Sequence, residues 1–317
     1  MTARVLLTID TELAWRHYAA GLDVADVIRR SIDPAGVGLR YQLALLGRHG
    51  LKACFFVDPM PALVLGREPI RAIVAPILAA GQEVQLHLHP NWAGATLDDR
   101  RAGGSFELNA YPPERQRALI AEARALLVEA GAPPPIAFRA GSFAADDATL
   151  AALAALGLRY DSSHNGSHAP WPSAIGLPAE QSFPLGYQGI IEVPVTQFSE
   201  GPGRLRPCQL TAASAAELVA AVDHAVGNGH PLVTLVSHSF ELACRDGRRP
   251  NPVLVRRFST LCRRLAERAE RAPTAFFSEL EAVPLDVAAT PMPYSLRRTA
   301  GRMAAQAMAN LLYEGRL

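Results

Sequence analysis

Short apolar runs alternate along this chain with longer amphipathic stretches. The runs predict strands over roughly 3–10, 51–57, 83–89, 135–139, 157–161, 190–195, 231–237 and 273–277. Several, such as Leu232-Val233-Thr234-Leu235-Val236, are continuously apolar, as parallel strands buried on both faces require. Helical periodicity falls between them, over about 35–48, 68–80, 112–130, 146–156, 213–228 and 252–271. Pro34, Pro113 and Pro252 stand near the helix starts, and Gly50, Gly81, Gly131, Gly157 and Gly229 just past the ends. Seven or eight such units in about 280 residues predict an α/β fold, a distorted or incomplete (β/α) barrel of seven to eight parallel strands. The barrel is expected over 1–285 and a C-terminal helical tail over 286–317.

Three loop-like stretches, about 90–111, 162–189 and 197–211, each follow a strand. In a barrel they lie on the C-terminal face, where active sites form. No glycine-rich phosphate loop follows the first strand, which weakens a nucleotide-binding reading. The tail carries Arg297, Arg298, Arg302 and Arg316 beside Met303, Met308, Leu311 and Leu312. It is expected to be an amphipathic helix against the domain or against a second copy in a homo-oligomer.

Composition narrows the classes. The chain has 317 residues, 49% of them hydrophobic, and a formal net charge of +1, which argues against a dedicated nucleic-acid binder. Lys52 is its only lysine, and with abundant alanine this reads as the codon bias of a GC-rich bacterium. Cys54, Cys208, Cys244 and Cys262 show no regular spacing and read as free thiols. No secretory signal and no apolar run of about 18 residues is found, so no membrane span is expected and a cytoplasmic location is.

Candidate chemistry collects at strand ends. Asp10 and Glu12 close the first strand and His87 and His89 the third, each pair two residues apart and so on one face, with Ile9, Leu86 and Leu88 turned the other way. Arg139, Asp161 and His238 follow later strands. Two imidazoles and one carboxylate with a vacant fourth position make a catalytic zinc site. Such a cation lowers the pKa of its water from about 15.7 to about 7. A nearby carboxylate can take that water's proton, and an imidazole across the site can protonate a leaving group.

The ordered segments Thr8-Ile9-Asp10-Thr11-Glu12, Gly81-Gln82-Glu83-Val84 through His89, Phe138-Arg139-Ala140-Gly141-Ser142-Phe143, Leu156-Gly157 through Tyr160-Asp161-Ser162-Ser163, and His238 are similar to the motifs of the polysaccharide deacetylase superfamily. This is the NodB-homology, carbohydrate esterase family 4 group, in a branch with a Thr-Ile-Asp-Thr-Glu opening. The resemblance implies a distorted (β/α) barrel, a divalent metal and hydrolysis of an acetyl group on a sugar. It implies Asp10 as general base, Arg139 as the group orienting it, and His238 as general acid. Two positions depart from the pattern. Thr11 stands where the family's metal-binding Asp follows the base, and Asn91 stands where the second metal histidine is usual. Glu12 and His89 are the substitutes, giving a ligand set of Glu12, His87 and His89.

The expected function is removal of an N- or O-linked acetyl group from a saccharide or glycan precursor, with metal-bound water as nucleophile. Zinc is the first choice of metal, with cobalt, nickel or iron as alternatives. Trp15, Trp92 and Trp171 each follow a motif strand and offer platforms for a sugar ring, or pack the loops. Asp161, His164 and His168 are further candidates for the substrate, against readings as a segment cap and surface histidines. The competing readings are a metal-dependent amidase or imidase on a small molecule, a phosphoesterase, a two-histidine-one-carboxylate iron oxygenase, and a catalytically degenerate glycan-binding member.

Overall fold

The computed structural model describes residues 3–100, 104–287 and 290–314. Arg316 of the expected tail lies outside these. Eight strands form one curled sheet: β1 (Arg4–Thr11), β2 (Cys54–Val57), β3 (Glu83–Leu88), β4 (Ala137–Ala140), β5 (Tyr160–Asp161), β6 (Leu185–Tyr187), β7 (Ile190–Glu192) and β10 (Leu232–His238). A separate hairpin pairs β8 (Gln197–Gly201) with β9 (Arg204–Pro207). The sheet order is β10-β1-β2-β3-β4-β5-β7-β6, parallel throughout except for the β6–β7 edge.

Placing the last strand beside the first is barrel order, but β6 does not pair with β10, so the barrel is open. Irregular chain fills the gap. Thr196 N donates to Thr234 O at 3.2 Å, while Val236 N donates to Cys208 O at 3.0 Å and Leu210 N to Val236 O at 2.8 Å. The free edge of β10 is thereby satisfied without a further strand.

Alternation along β1 separates two apolar layers. Val5, Leu7 and Ile9 join the large core beneath the helices, whereas Leu6 joins Cys54, Phe56, Ala137, Tyr160 and Leu232 in a smaller interior cluster. Phe277 and Leu280 belong to that interior cluster. This accounts for one corrected expectation. The stretch over 273–277 makes only a single bridge, Thr274 to Val5, and leads into a 3-10 turn over Phe277–Ala282. Its apolar side chains plug the barrel floor instead of extending the sheet. With the floor filled by hydrocarbon, polar residues of the same interior face stand above it at the C-terminal ends of the strands.

The helices are α1 (Trp15–Ala19), α2 (Val24–Ile32), α3 (Leu39–His49), α4 (Ala62–Leu65), α5 (Glu68–Ala79), α6 (Pro113–Glu129), α7 (Asp147–Ala155), α8 (Ala215–Asn228), α9 (Pro252–Ala266) and α10 (Leu296–Ala309). Pro113 and Pro252 occupy first helical positions, and Gly50 and Gly229 end α3 and α8 in the left-handed conformation that glycine adopts without strain. Pro34 begins a short 3-10 turn ahead of α3, and α9 stops at Ala266, short of the expected 271. In the tail, Arg302 is buried, with its Nε 3.2 Å from Glu217, and it also contacts Glu200. Met303, Met308, Leu311 and Leu312 are exposed. No helix among the described residues is long and apolar enough to cross a membrane.

Candidate metal centre and active site

Strand register brings the polar residues together. Asp10 on β1 is the register partner of His238 on β10, and His87 on β3 is the partner of Arg139 on β4. Partners across a parallel pair point to the same face, here the barrel interior. Glu12 lies one residue past the end of β1, and His89 one past β3 in extended conformation, so both pairs keep the common face that their two-residue spacing predicts.

Glu12, His87 and His89 converge until one donor atom from each lies within 4.8 Å of the others. His87 Nε2 is 3.3 Å from Glu12 Oε2, and His89 Nε2 touches the same oxygen. Yet Glu12 Oε2 is buried and has no hydrogen bond of acceptable geometry. His87 Nδ1 lies 2.8 Å from the carbonyl oxygen of Arg139, which fixes that nitrogen as the N–H donor and leaves the Nε2 lone pair facing Glu12. An orphaned carboxylate oxygen and an imidazole held by a backbone carbonyl together fit a divalent cation. Burial drives the Glu12 carboxyl up, but the His89 and His87 rings outweigh it and hold it well below the ordinary range. Burial likewise pushes His89 down, and Glu12 reverses this and lifts it to about 9.

The room for His89 is made by Gly141. A Cβ at that position would lie 2.4 Å from both Nδ1 and Cε1 of the imidazole. Ser142 and Phe143, the next two residues, have φ of 57° and 60°, a conformation that costs a non-glycine residue of order 1–3 kcal/mol. Both side chains line the site.

Beside this group stands a second carboxylate with its own partners. Arg139 is fully buried and its Nη1 donates to Asp10 Oδ1 at 2.7 Å and to Thr8 Oγ1 at 2.8 Å. Its Nε and Nη2 donate to the carbonyl and hydroxyl oxygens of Ser162 at 3.1 and 3.0 Å, and its Cζ lies 4.4 Å over the Phe56 ring. Burial raises the Asp10 carboxyl, but Arg139, His87 and His238 together prevail and keep it below its ordinary value. His238 Nε2 is 3.7 Å from Asp10 Oδ2, and its Nδ1 is 2.6 Å from Glu241 Oε1. Burial lowers His238, and Glu241 more than reverses this, bringing it to about 9.

All of Asp10, Glu12, His87, His89 and His238 line one cavity of about 250 Å³, with Ser142, Phe143, His168, Pro172 and Gln209 on its walls. A wider cleft of about 580 Å³ adjoins it, sharing His168 and Gln209 and bounded by Arg204 and Arg206 of the hairpin.

Five residues expected to meet substrate are not among the cavity's lining residues. Trp15 and Trp92 pack edge-on at 4.9 Å, with Tyr18 and Phe106 in the same cluster, and Trp92 is 1% exposed. They close loops by packing. Trp171 is 56% exposed on the surface. Asp161 is buried and accepts from Ser163 N at 3.0 Å and Ser163 Oγ at 2.8 Å, so it caps the segment after β5. His164 is buried with Nε2 3.1 Å from Pro178 O. A loop position after a motif strand is a weak signal, because loops also carry the apolar side chains that anchor them. In the other direction, sequence reading missed Glu241, Thr8 and Ser162. Thr8 carried a signal, since it lies two residues before Asp10 on the same strand face.

Comparison of the fold places it among known structures. It is similar to a Mycobacterium smegmatis protein provisionally assigned as a polysaccharide deacetylase, at 19% identity over 92% of this chain and 94% of that one, with a TM-score of 0.54. It is also similar to the 4-alpha-glucanotransferase of Thermococcus litoralis, at 12% identity over 88% of this chain and 40% of that one, with a TM-score of 0.54. A family 4 carbohydrate esterase from Streptomyces lividans, in complex with acetate, aligns at 14% identity over 91% and 98% of the two chains, with a TM-score of 0.47. No protein-family model matches the chain, and no curated protein sequence does. The fold is an open, distorted (β/α) barrel, similar to that of the Mycobacterium smegmatis protein.

Proposed function

We propose that this chain is a metal-dependent hydrolase that removes an acetyl group from a saccharide or glycan precursor. The observation that carries the reading is the convergence of Glu12, His87 and His89 beside an arginine-held carboxylate and a carboxylate-held imidazole. The fold alone does not decide the chemistry, since its neighbours include both a deacetylase assignment and a glucanotransferase.

Glu12, His87 and His89 would hold a divalent cation, zinc first by donor type, which when bound lowers the pKa of a water and polarises an acyl oxygen. Asp10 accepts the proton that the attacking water loses, and Arg139 keeps its carboxyl ionised for that purpose. His238, protonated at neutral pH through Glu241, supplies a proton to the departing nitrogen or oxygen. The acyl carbon gains the water's oxygen and loses the sugar's amine or alcohol, so acetate and a free amino or hydroxyl group are formed. The wider cleft beyond His168 and Gln209 favours an extended substrate over a small one.

Acetate release from acetylated chitooligosaccharides by zinc-loaded protein tests this. Turnover is expected to vanish in Asp10→Asn with metal content unchanged, and in His87→Ala with metal lost. Stoichiometric zinc without acetate release from N- or O-acetylated saccharides, but with turnover of a small cyclic amide, would replace the saccharide reading by the amidase one. Full zinc retention in both His87→Ala and His89→Ala would remove the ligand set.

A further inference from the structure

Behind Arg139 lies a pair of carboxyl groups that the proposed reaction does not use. Asp161 on β5 and Glu192 on β7 are register partners across a parallel pair, so their side chains share one face, and both are fully buried. Their partners differ. Asp161 accepts from Ser163 N at 3.0 Å and from Ser163 Oγ at 2.8 Å, one donor to each oxygen. Glu192 Oε1 accepts from His164 N at 3.0 Å, but its Oε2 is buried and no N–H or O–H of the described residues reaches it. The Asp161 carboxyl lies within hydrogen-bonding reach of Glu192. Two ionised carboxylates in such a contact repel, and a buried oxygen without a donor is a poor place for charge. A single proton on Glu192 removes both costs.

We propose that Glu192 is a neutral carboxylic acid that donates its proton to Asp161, and that this pair positions Arg139 from behind. Burial and the Asp161 charge act in the same direction, raising Glu192 well above the ordinary carboxyl range. Arg139 on β4 is the cation facing both groups, and burial lowers His164, which leaves that imidazole neutral.

The pair grips the segment on which Arg139 rests. Ser163 Oγ, donating to Asp161, accepts from Ala140 N at 2.9 Å. Ser162 beside it supplies the carbonyl and hydroxyl acceptors of Arg139 Nε and Nη2. A negative charge on Glu192 would face the same guanidinium and raise Asp10; a neutral Glu192 leaves that cation to Asp10. The positioning role rests on the reading of Asp10 as base, whereas the proton on Glu192 stands without it.

Infrared difference spectra of the whole chain against Glu192→Gln at pH 8 should show a protonated-carboxyl band in the parent that the variant lacks. Asp58, raised to about 6, is ionised at that pH. Glutamine keeps a donor towards Asp161 and an acceptor for His164 N. Because Glu192 is raised in the folded state, its contribution is complete below the ordinary value of 4.5 and is lost as pH rises above it. The urea midpoint of Glu192→Gln relative to the parent should therefore climb from pH 4 to pH 8. No such band, or a midpoint difference flat with pH, overturns the neutral acid. The Nε–H resonance of Arg139, assigned by its loss in Arg139→Met, should stay in place in Glu192→Gln and move in Glu192→Asp, whose carboxyl is one methylene short. Equal shifts in both variants, or none in either, overturn the positioning role. These readouts need no turnover, so a chain that passes them but releases no acetate overturns the deacetylase reading alone.

Discussion

Replacing Arg139 by Met tests the electrostatic arrangement of the site most directly. The side chain is fully buried, and its four hydrogen bonds reach Asp10, Thr8 and both oxygens of Ser162. Methionine keeps most of the volume and the contact with Phe56 but leaves Asp10, 2% exposed, without its cation. Two routes bound the cost. Removing one partner of a buried ion pair typically costs about 3–5 kcal/mol. Alternatively Asp10 takes up a proton, which at pH 7 costs about 4 kcal/mol for a carboxyl whose ordinary pKa is 3.8. The two agree, so a loss of about 4 kcal/mol is expected. With a urea m-value of roughly 3 kcal/mol per M, the unfolding midpoint should fall by somewhat over 1 M.

The pH dependence has a defined sign. Asp10 is depressed in the folded state, so its contribution is present above its ordinary pKa and is lost as pH falls through the lower, folded value. In Arg139→Met the buried Asp10 carboxyl has lost the cation that lowers it and takes up a proton at a cost that grows with pH above 3.8, so the gap to the parent chain should be widest near pH 7 and narrow towards pH 4. Asp10→Asn with Arg139→Met removes the orphaned charge and should recover about 2 kcal/mol or more relative to Arg139→Met alone. A loss below 1 kcal/mol in Arg139→Met, or strict additivity in the cycle, would refute the reasoning.

Three further outcomes follow from the site. Gly141→Ala places a methyl 2.4 Å from the His89 ring, so zinc affinity in a chelator competition should fall ten-fold or more; equal affinity would show that His89 is not held there. Glu241→Gln removes the charge that lifts His238 from 6.5 to about 9, so the alkaline limb of the kcat profile should move down towards neutrality, and an unmoved limb would exclude His238 as the acid. The same raised value contributes stability, on the order of 3 kcal/mol, that is complete below pH 6.5 and lost as pH rises through about 9. Urea midpoints from pH 6 to 10 should show this fall in the parent chain and not in His238→Gln.

Much of the fold is legible because parallel strands and their helices write strong local patterns. The run over Val5–Ile9 and the capped helix α8 are found from sequence with little displacement. The elements that escape are short or context-made. α2 has nine residues; β6 has three, one of them Gly186. The β8–β9 hairpin hides in a stretch whose Gly201-Pro202-Gly203 reads simply as loop. The apolar run over 273–277 misleads for the opposite reason: its side chains are as hydrophobic as a strand's, but what they fill is the barrel floor.

The site was legible to the extent that period-two spacing fixes direction. Strand periodicity gives Asp10 with Glu12 and His87 with His89, and the parallel register then sets His238 against the first pair and Arg139 against the second. What periodicity cannot give is which carboxylate meets the imidazoles. The structure separates the two by their partners: Asp10 turns to Arg139 and His238, Glu12 to His87 and His89. The departures at Thr11 and Asn91 fit the same geometry. Thr11, on the opposite strand face, donates its hydroxyl to the Ile9 carbonyl at 3.2 Å, and Asn91 is buried in the turn after β3. A carboxylate moved one residue along β1, from position 11 to 12, falls on the interior face, and there it can share a cation only with imidazoles on that same face. His89, two residues beyond His87 and cleared by Gly141, meets this condition. On the proposed ligand set the two displacements are one geometric change, so reverting either alone, by Glu12→Ala with Thr11→Asp or by His89→Ala with Asn91→His, should lower zinc affinity in a chelator competition below that of the parent chain, and equal affinity would refute the pairing.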